Sequence, residues 1–195
     1  MVAITERTDL IQACRDGERD AFRALFEMYK DRVYSIAVRY AGNRTAAMDI
    51  SQEVFVKLHR TIGGFRGEAG GAFESWLYRL TVNACMDYRR RNVRWVGLPD
   101  LPLLERLLFR SRRGSEFDGG LEQSETDRAI HAAVASLAPD LRIAVVLRYT
   151  EGLSYDEIAA ATGCPPGTVA SRLSRAHKQL AKRLVDLAPR KENER

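Results

Sequence analysis

The sequence predicts an all-α fold of two small helical domains, an N-terminal helical bundle and a C-terminal helix-turn-helix domain, joined by a flexible linker. Three observations carry this. Apolar residues recur at helical spacing in several separate blocks, and strand-like alternation bounded by turn residues is hard to find. Between about residues 93 and 125 the helical texture is interrupted by Pro99, Pro102, Gly114, Gly119 and Gly120. A chain of 195 residues with 45% apolar and 29% charged content has enough apolar surface for one large or two small domains.

Residues 1–19 carry charges throughout and are read as an N-terminal extension, without the apolar segment of a leader peptide. The first helix follows, with Phe22, Leu25, Phe26, Tyr29, Val33, Ile36, Ala37 and Tyr40 on one face and a stop near Gly42 and Asn43. A second starts near Thr45. Its apolar positions Ala47, Ile50, Val54 and Leu58 point inward, which turns Asp49, Gln52, Glu53 and Lys57 outward, and Gly63 and Gly64 close it. After the glycine-rich stretch FRGEAGGA, a third helix carries Phe73, Trp76, Leu77, Leu80 and Ala84 on one side and ends in Arg89, Arg90 and Arg91. Three such helices enclose one core, giving a first domain at residues 20–92.

The linker, residues 93–125, holds one short amphipathic piece, LLERLLFR, suited either to local packing or to docking on a partner. The second domain, residues 126–188, opens with a helical pattern at Ile130, Ala133, Val134 and Leu137, breaks at Pro139 and resumes through Ile143, Val146 and Leu147 before Gly152. Ser154 followed by Glu157 is a capping-box pattern, in which each side chain satisfies an orphan backbone donor of the other. Ile158 and Ala159 give the short helix an apolar side, Gly163 permits a tight turn, and Pro165 or Pro166 opens the next helix. In that helix Val169, Leu173, Ala176, Leu180 and Leu184 form the inward stripe, at spacings of 4, 3, 4 and 4. Thr168, Ser171, Arg172, Arg175, Lys178 and Gln179 lie opposite, and between Thr168 and Arg183 there are five basic residues and no acidic one. A basic face on a lone helix is commonly just hydrated. Preceded by a capped short helix, a glycine turn and a proline start, it points to a recognition helix against DNA phosphates and guanine edges. Residues 189–195 form a polar tail.

Charge and composition exclude several functions. The net charge of +5 is compatible with nucleic acid without requiring it. Cys14, Cys85 and Cys164 are odd in number, far apart and never in a CxxC pair, so neither a disulfide framework nor a zinc ribbon is expected, and a reducing cytoplasm is the natural setting. His59, His131 and His177 lack metal-ligand spacing, and no nucleophile–base set is visible, so no metal, cofactor or catalytic residue is expected and the chain is not read as an enzyme. Cys164 reads either as an oxidant sensor or as an inert thiol, to be decided by its exposure. In the first domain Trp76, Tyr78, Arg79, Asn83 and Arg89 to Arg91 combine aromatic faces, an amide and cations, a set that suits partly unstacked DNA. Trp76 alone reads as core, because its stripe partners are apolar. The arginine run is also what a helix C-terminus favours electrostatically.

The segments MDISQEVFVKLHR, FRG, FESWLYRLTVNACMDYRRR and RYTEGLSYDEIAAATGCPPGTVASRLSRAHKQL, in this order and spacing, resemble the extracytoplasmic-function group of bacterial sigma factors, within the sigma-70 family. The resemblance covers roughly residues 20–92 and 126–186. It implies that the first domain binds the clamp helices of core RNA polymerase and the proximal, melted promoter element, and that the second binds the polymerase flap and the distal element. Asp49, Gln52 and Glu53 match the family's polymerase-facing residues. Tyr78, Arg79 and Asn83 match the promoter-contacting part of the third helix, joined by Arg89 and Arg90. Phe65, Arg66 and the loop to Gly71 match the segment that receives a flipped base. Thr168, Ser171, Arg172, Arg175 and Lys178 match the recognition-helix face. The loop GEAGGA is richer in glycine than the family's usual segment, and the linker is basic at Arg106, Arg110, Arg112 and Arg113 where such linkers often run acidic. Implied partners are core polymerase, promoter DNA and an anti-sigma factor, in a stress or envelope response. A stand-alone helix-turn-helix regulator is the competing reading, and it would bind its operator tightly without polymerase.

Overall fold

The computed structural model describes residues 2–67, 71–93 and 125–184. All the regular elements among them are helical. They fall into two units, which are taken separately.

In the first unit α1 spans Val2–Arg15, α2 Arg19–Ala41, α3 Arg44–Thr61 and α4 Gly71–Val93, with a single 3₁₀ turn at Ile62–Gly64 after α3. Residues 1–19, expected as an extension, thus contribute a fourth helix. Ile11 and Cys14, one turn apart, are buried, and α1 packs on α2 and the 3₁₀ turn. A stripe this narrow, set among charges, gives little periodicity to read. Burial, with a smaller push from the Glu18 carboxylate, raises the Cys14 thiol to about 11.

The inward face of α2 runs through Ala21, Leu25, Tyr29, Val33, Ile36, Ala37 and Tyr40. Phe22 and Phe26, expected on that face, sit on its flank. Phe22 is half-buried, with its ring edge-on to His59 at 4.8 Å, and Phe26 is 37% exposed and edge-on to Phe55 at 4.7 Å. Gly42 caps α2, and its N–H donates to the Val38 carbonyl at 2.9 Å. Asn43 then starts α3, its Oδ1 accepting from the Ala46 N–H at 2.7 Å. Ala47, Ile50, Val54 and Leu58 are buried as expected, joined by Ala46 and Phe55.

The buried face of α4 is wider than its predicted stripe. Phe73, Leu77 and Ala84 are inside, but so are Tyr78, Thr81, Val82 and Cys85, whereas Trp76 and Leu80 are only half-buried. The physical reason is that α4 packs on both α2 and α3, so more than one stripe is covered. Thr81, a buried polar side chain, satisfies itself by donating to the Leu77 carbonyl at 2.8 Å. Burial pushes the Cys85 thiol up to about 12.

Further along the chain α5 spans Glu125–Ala135, α6 Pro139–Thr150, α7 Tyr155–Thr162 and α8 Pro166–Leu184, and the second unit is built of α5, α6, the first part of α7 and α8. Pro139 and Pro166 each occupy a first helical position, where their missing N–H leaves no bond unmade. Helix α6 is the centre of the unit: Leu141 and the run Ile143 to Leu147 are buried, and both α5 and α8 pack on it. Arg142 ties the end of α5 down by donating to the carbonyls of Ala135 and Leu137. Ile130, expected inside, is exposed, and Leu180 and Leu184 are half-buried. The covered stripe of α8 is therefore Val169, Leu173 and Ala176. The linker piece LLERLLFR and the basic positions Arg106, Arg110, Arg112 and Arg113 lie outside the described residues. Among the described residues, no helix is long and apolar enough to cross a membrane.

Candidate nucleic-acid and partner interfaces

Three surfaces are built by this framework, two on the helices α2 to α4 and one on α7 and α8. The first lies between α2 and α3. Because Phe22 and Phe26 leave the core stripe, they and Met48, Gln52, Phe55 and Val56 line an open, largely apolar groove of about 740 Å³. Met48 and Val56 are themselves exposed. Gln52 stands in the groove wall, and Asp49 is exposed one turn before it on α3. Contiguous exposed apolar surface rimmed by polar groups suits the side of a partner helix. The signal available in the sequence was the excess of large apolar residues on α2, more than one inward stripe can hold.

Glu53, grouped with Asp49 and Gln52 in the sequence, is placed differently. Its Oε1 accepts from Lys57 Nζ at 2.8 Å, and its Oε2 accepts from Arg91, near the end of α4. Burial pushes this carboxyl up, but the hydrogen bonds from Lys57 and Arg91 outweigh it and hold the group below its ordinary value. No spacing rule could have found a partner 38 residues away.

The second surface follows α4 and the segment before it. Phe65 stacks on Trp76 with ring centroids 4.9 Å apart and an angle of 22°, and meets Phe73 edge-on at 5.7 Å. Gly67 lies against this cluster: a Cβ there would come within 2.6 Å of Phe65 Cζ and 3.2 Å of Ala72 Cβ. Of the expected promoter-contacting positions on α4, Arg79 and Asn83 are exposed. Tyr78 is a correction. It is 6% exposed, with the Arg32 guanidinium 6.0 Å from its ring centroid, because the width of the α4 contact draws it inside. Arg66 is exposed, Arg89 half-buried and Arg90 exposed. The loop before α4 is described only as far as Gly67 and again from Gly71, so Glu68, Ala69 and Gly70 of GEAGGA lie outside the described residues.

The third surface is the α7–turn–α8 segment. The expected capping box is present in both directions: the Ser154 N–H donates to Glu157 Oε2 at 2.7 Å, and the Glu157 N–H donates to Ser154 Oγ at 3.2 Å. The bond from the Ser154 backbone, with that from its side chain, lowers the Glu157 carboxyl. Gly163 takes a φ of 67°, the left-handed conformation that lets the chain turn from α7 to α8. On α8, Ser171, Arg175 and Lys178 are exposed, Thr168 is half-buried, and Arg175 Nε donates to the Ser171 carbonyl at 3.3 Å. Arg172 is turned toward the unit instead. Its side chain is 19% accessible, with Nη2 3.4 Å from Asp140 and Nη1 3.3 Å from Cys164 Sγ. Ser174, not among the residues predicted for this face, is exposed between Ser171 and Lys178 at helical spacing. The same periodicity that picked its neighbours would have picked it.

Comparison with known proteins agrees with this geometry. Residues 25–94 match the family model "Sigma-70 region 2", and residues 127–180 match "Sigma-70, region 4". The chain is 34% identical to the ECF RNA polymerase sigma-E factor of Escherichia coli, over 93% of this chain and 95% of that protein. It is 31% identical to the RNA polymerase sigma-H factor of Pseudomonas aeruginosa, over 94% and 97%. Among solved structures, CnrH in complex with the cytosolic domain of CnrY has a similar fold (TM-score 0.63, 22% identity, 94% of this chain and 99% of that one). So does the sigma factor RpoE in complex with the anti-sigma factor NepR from Bartonella quintana (TM-score 0.59, 22% identity, 84% and 96%).

Proposed function

The chain belongs to the extracytoplasmic-function group of the sigma-70 family, and on that footing we propose how its three surfaces divide the work of starting transcription. It is an RNA polymerase sigma factor that directs promoter-specific initiation. The stand-alone regulator has no such support. In our reading the groove between α2 and α3, with Asp49 and Gln52 at its edge, takes the clamp helices of core polymerase. Arg66, Arg79, Asn83, Arg89 and Arg90 meet the backbone and bases of the proximal element, beside an aromatic platform of Phe65 on Trp76. Helix α8 enters the major groove of the distal element through Ser171, Ser174, Arg175 and Lys178, with Thr168 at its start.

The observation that carries this division is the contrast between the two surfaces most exposed for it. The α3 groove is largely apolar, with Gln52 in its wall and charges of both signs around it (Asp31 against Lys30, Arg44 and Arg60), whereas α8 presents cations and hydroxyls on a scaffold fixed by a two-way capping box. An apolar groove suits protein, and a cationic helix face suits phosphate. Each DNA contact is small by itself. Held at fixed separation on one enzyme, the second becomes intramolecular and benefits from a raised effective concentration. The free chain therefore has little promoter affinity. The factor works in the cytoplasm with polymerase, as a non-enzymatic subunit. An anti-sigma partner, like NepR in the complex of the structural neighbour RpoE, would act by covering these surfaces.

The test is to add the purified chain to core RNA polymerase with a library of genomic fragments and to sequence the transcript starts. New starts that share two spaced sequence elements are expected. Absence of new starts, or tight and specific promoter binding without polymerase, would overturn the reading.

A further inference from the structure

At the end of α4 five charged side chains form one run of ion pairs that ties α4 to α3. Arg90 Nη2 lies 2.6 Å from Asp87 Oδ1, Lys57 Nζ lies 3.5 Å from Asp87 Oδ2 and 2.8 Å from Glu53 Oε1, and Arg91 bonds the other Glu53 oxygen. Two carboxylates are thus shared among three cations. Exposure differs sharply along the run: the Glu53 side chain is 24% accessible and that of Arg91 is 61%. The guanidinium is in the open, but an anion that approaches it meets a cation whose charge is already answered at contact distance.

We propose that Glu53 masks Arg91 in the free chain, and that a cationic side chain of the polymerase, by taking up the Glu53 carboxylate, releases Arg91 to bind a DNA backbone phosphate beside the end of α4. The proposal rests on the sigma reading above, in which α3 faces the polymerase. Glu53 then serves as a switch between two cations, one intramolecular and one supplied by the enzyme. The exchange is physically accessible because ion pairs between long, partly exposed side chains are weak and a single competing cation suffices to replace one. It also makes DNA affinity conditional on assembly. The bond that Arg91 then makes to phosphate is sequence-blind, so its signature is salt dependence rather than base preference.

The test uses the full chain and a labelled random-sequence DNA duplex, with affinity measured across a salt series for Glu53→Gln, Asp49→Asn, Arg91→Gln and the Glu53→Gln, Arg91→Gln double variant. Asp49 is exposed on the same helix, outside this run of ion pairs, so Asp49→Asn makes the same charge change without touching Arg91. Glu53→Gln is expected to tighten binding several-fold more than Asp49→Asn, and to steepen the log–log salt slope by about 0.9, the value for one further phosphate. In the Arg91→Gln background that excess disappears. Equal effects from Glu53→Gln and Asp49→Asn, or a tightening that survives loss of Arg91, overturn the proposal. If Glu53→Gln disturbs the fold by circular dichroism, Glu53→Asp retains the charge, shortens the reach to Arg91 and is expected to steepen the slope likewise. An unchanged slope there is equally fatal. With core polymerase present, Arg91→Gln is expected to weaken promoter binding several-fold while leaving the free chain's DNA affinity unaltered, and an equal loss in both settings refutes the hand-over. The free-chain arm contains no polymerase, so its failure leaves the sigma reading standing. A chain that never programs core enzyme fails that reading instead.

Discussion

Substituting Gly67 by alanine adds one methyl group where the structure has least room for it. The backbone there is not in the left-handed region, so alanine adopts it without conformational strain and the effect is purely steric. The new Cβ would lie 2.6 Å from Phe65 Cζ and 3.0 Å from Cε2. Ordinary carbon–carbon contact is about 3.5–4.0 Å, so the ring must retreat by about 1 Å. It has little freedom to do so, because Trp76 lies against its face and Phe73 against its edge. Losing a well-placed aromatic pair costs about 0.5–1.5 kcal/mol beyond burial, which corresponds to roughly a twofold to tenfold change in any equilibrium that uses the stack. In a Trp95→Phe background Trp76 is the single indole, and its emission and near-ultraviolet dichroism report the stack directly. Permanganate reactivity of the proximal promoter element in the assembled initiation complex reports melting. Gly67→Ala is expected to shift the Trp76 signal and to reduce melting by that factor. Gly64→Ala, where no atom lies within 4 Å of the added Cβ, is expected to be silent in both. An unchanged Trp76 spectrum in Gly67→Ala, or equal effects from the two glycines, would refute the steric reasoning.

Ser154→Ala removes one arm of the capping box and is expected to destabilise α7 by about 1 kcal/mol, read as faster hydrogen exchange of its first-turn amides. The Glu53 carboxyl is held below its ordinary value, so its pairing stabilises the fold at pH above the unfolded value of about 4.3 and is lost as pH falls through the lower folded value. Acid unfolding of Glu53→Gln is therefore expected to be less steep than that of the parent below about pH 4.3, and identical acid limbs would count against the pairing. On α8, Lys178→Ala is expected to weaken binding of all sequences by the polymerase-bound factor and to flatten the salt slope by about 0.9. Arg175→Ala should cost about 1–3 kcal/mol of discrimination at one position of the distal element if it reads guanine, and a sequence-blind loss would assign it to phosphate instead. Arg172→Ala is expected to act on the stability of the second unit, through Asp140, more than on base preference.

What was legible in the sequence follows from how local its causes are. The capping box, the glycine stop of α2, the proline start of α8 and the inward stripe of α3 depend on residues within a turn or two, and each appears where the spacing puts it. Errors concentrate where a third partner decides. Phe22 and Phe26 satisfy the periodicity of α2, but the core needed only the row through Leu25 and Tyr29, and the remainder became a groove. Tyr78 looks outward on a helix with one buried stripe and is inside on one that packs against two neighbours. Arg172 reads as a DNA-facing cation until Asp140, on a different helix, claims it. Helix α1 was invisible because Ile11 and Cys14 are a thin stripe that only the presence of α2 makes meaningful.

The unequal burial of the three thiols provides the molecule with its own set of opening gauges. Cys85 is sealed within the first unit, Cys14 is buried on α1, and Cys164 is half-open at the turn. An alkylating reagent at neutral pH, which attacks the thiolate, therefore meets three different thresholds in one chain. Adduct order, read by mass spectrometry, would time the peeling of α1 separately from collapse of the bundle, with no label introduced.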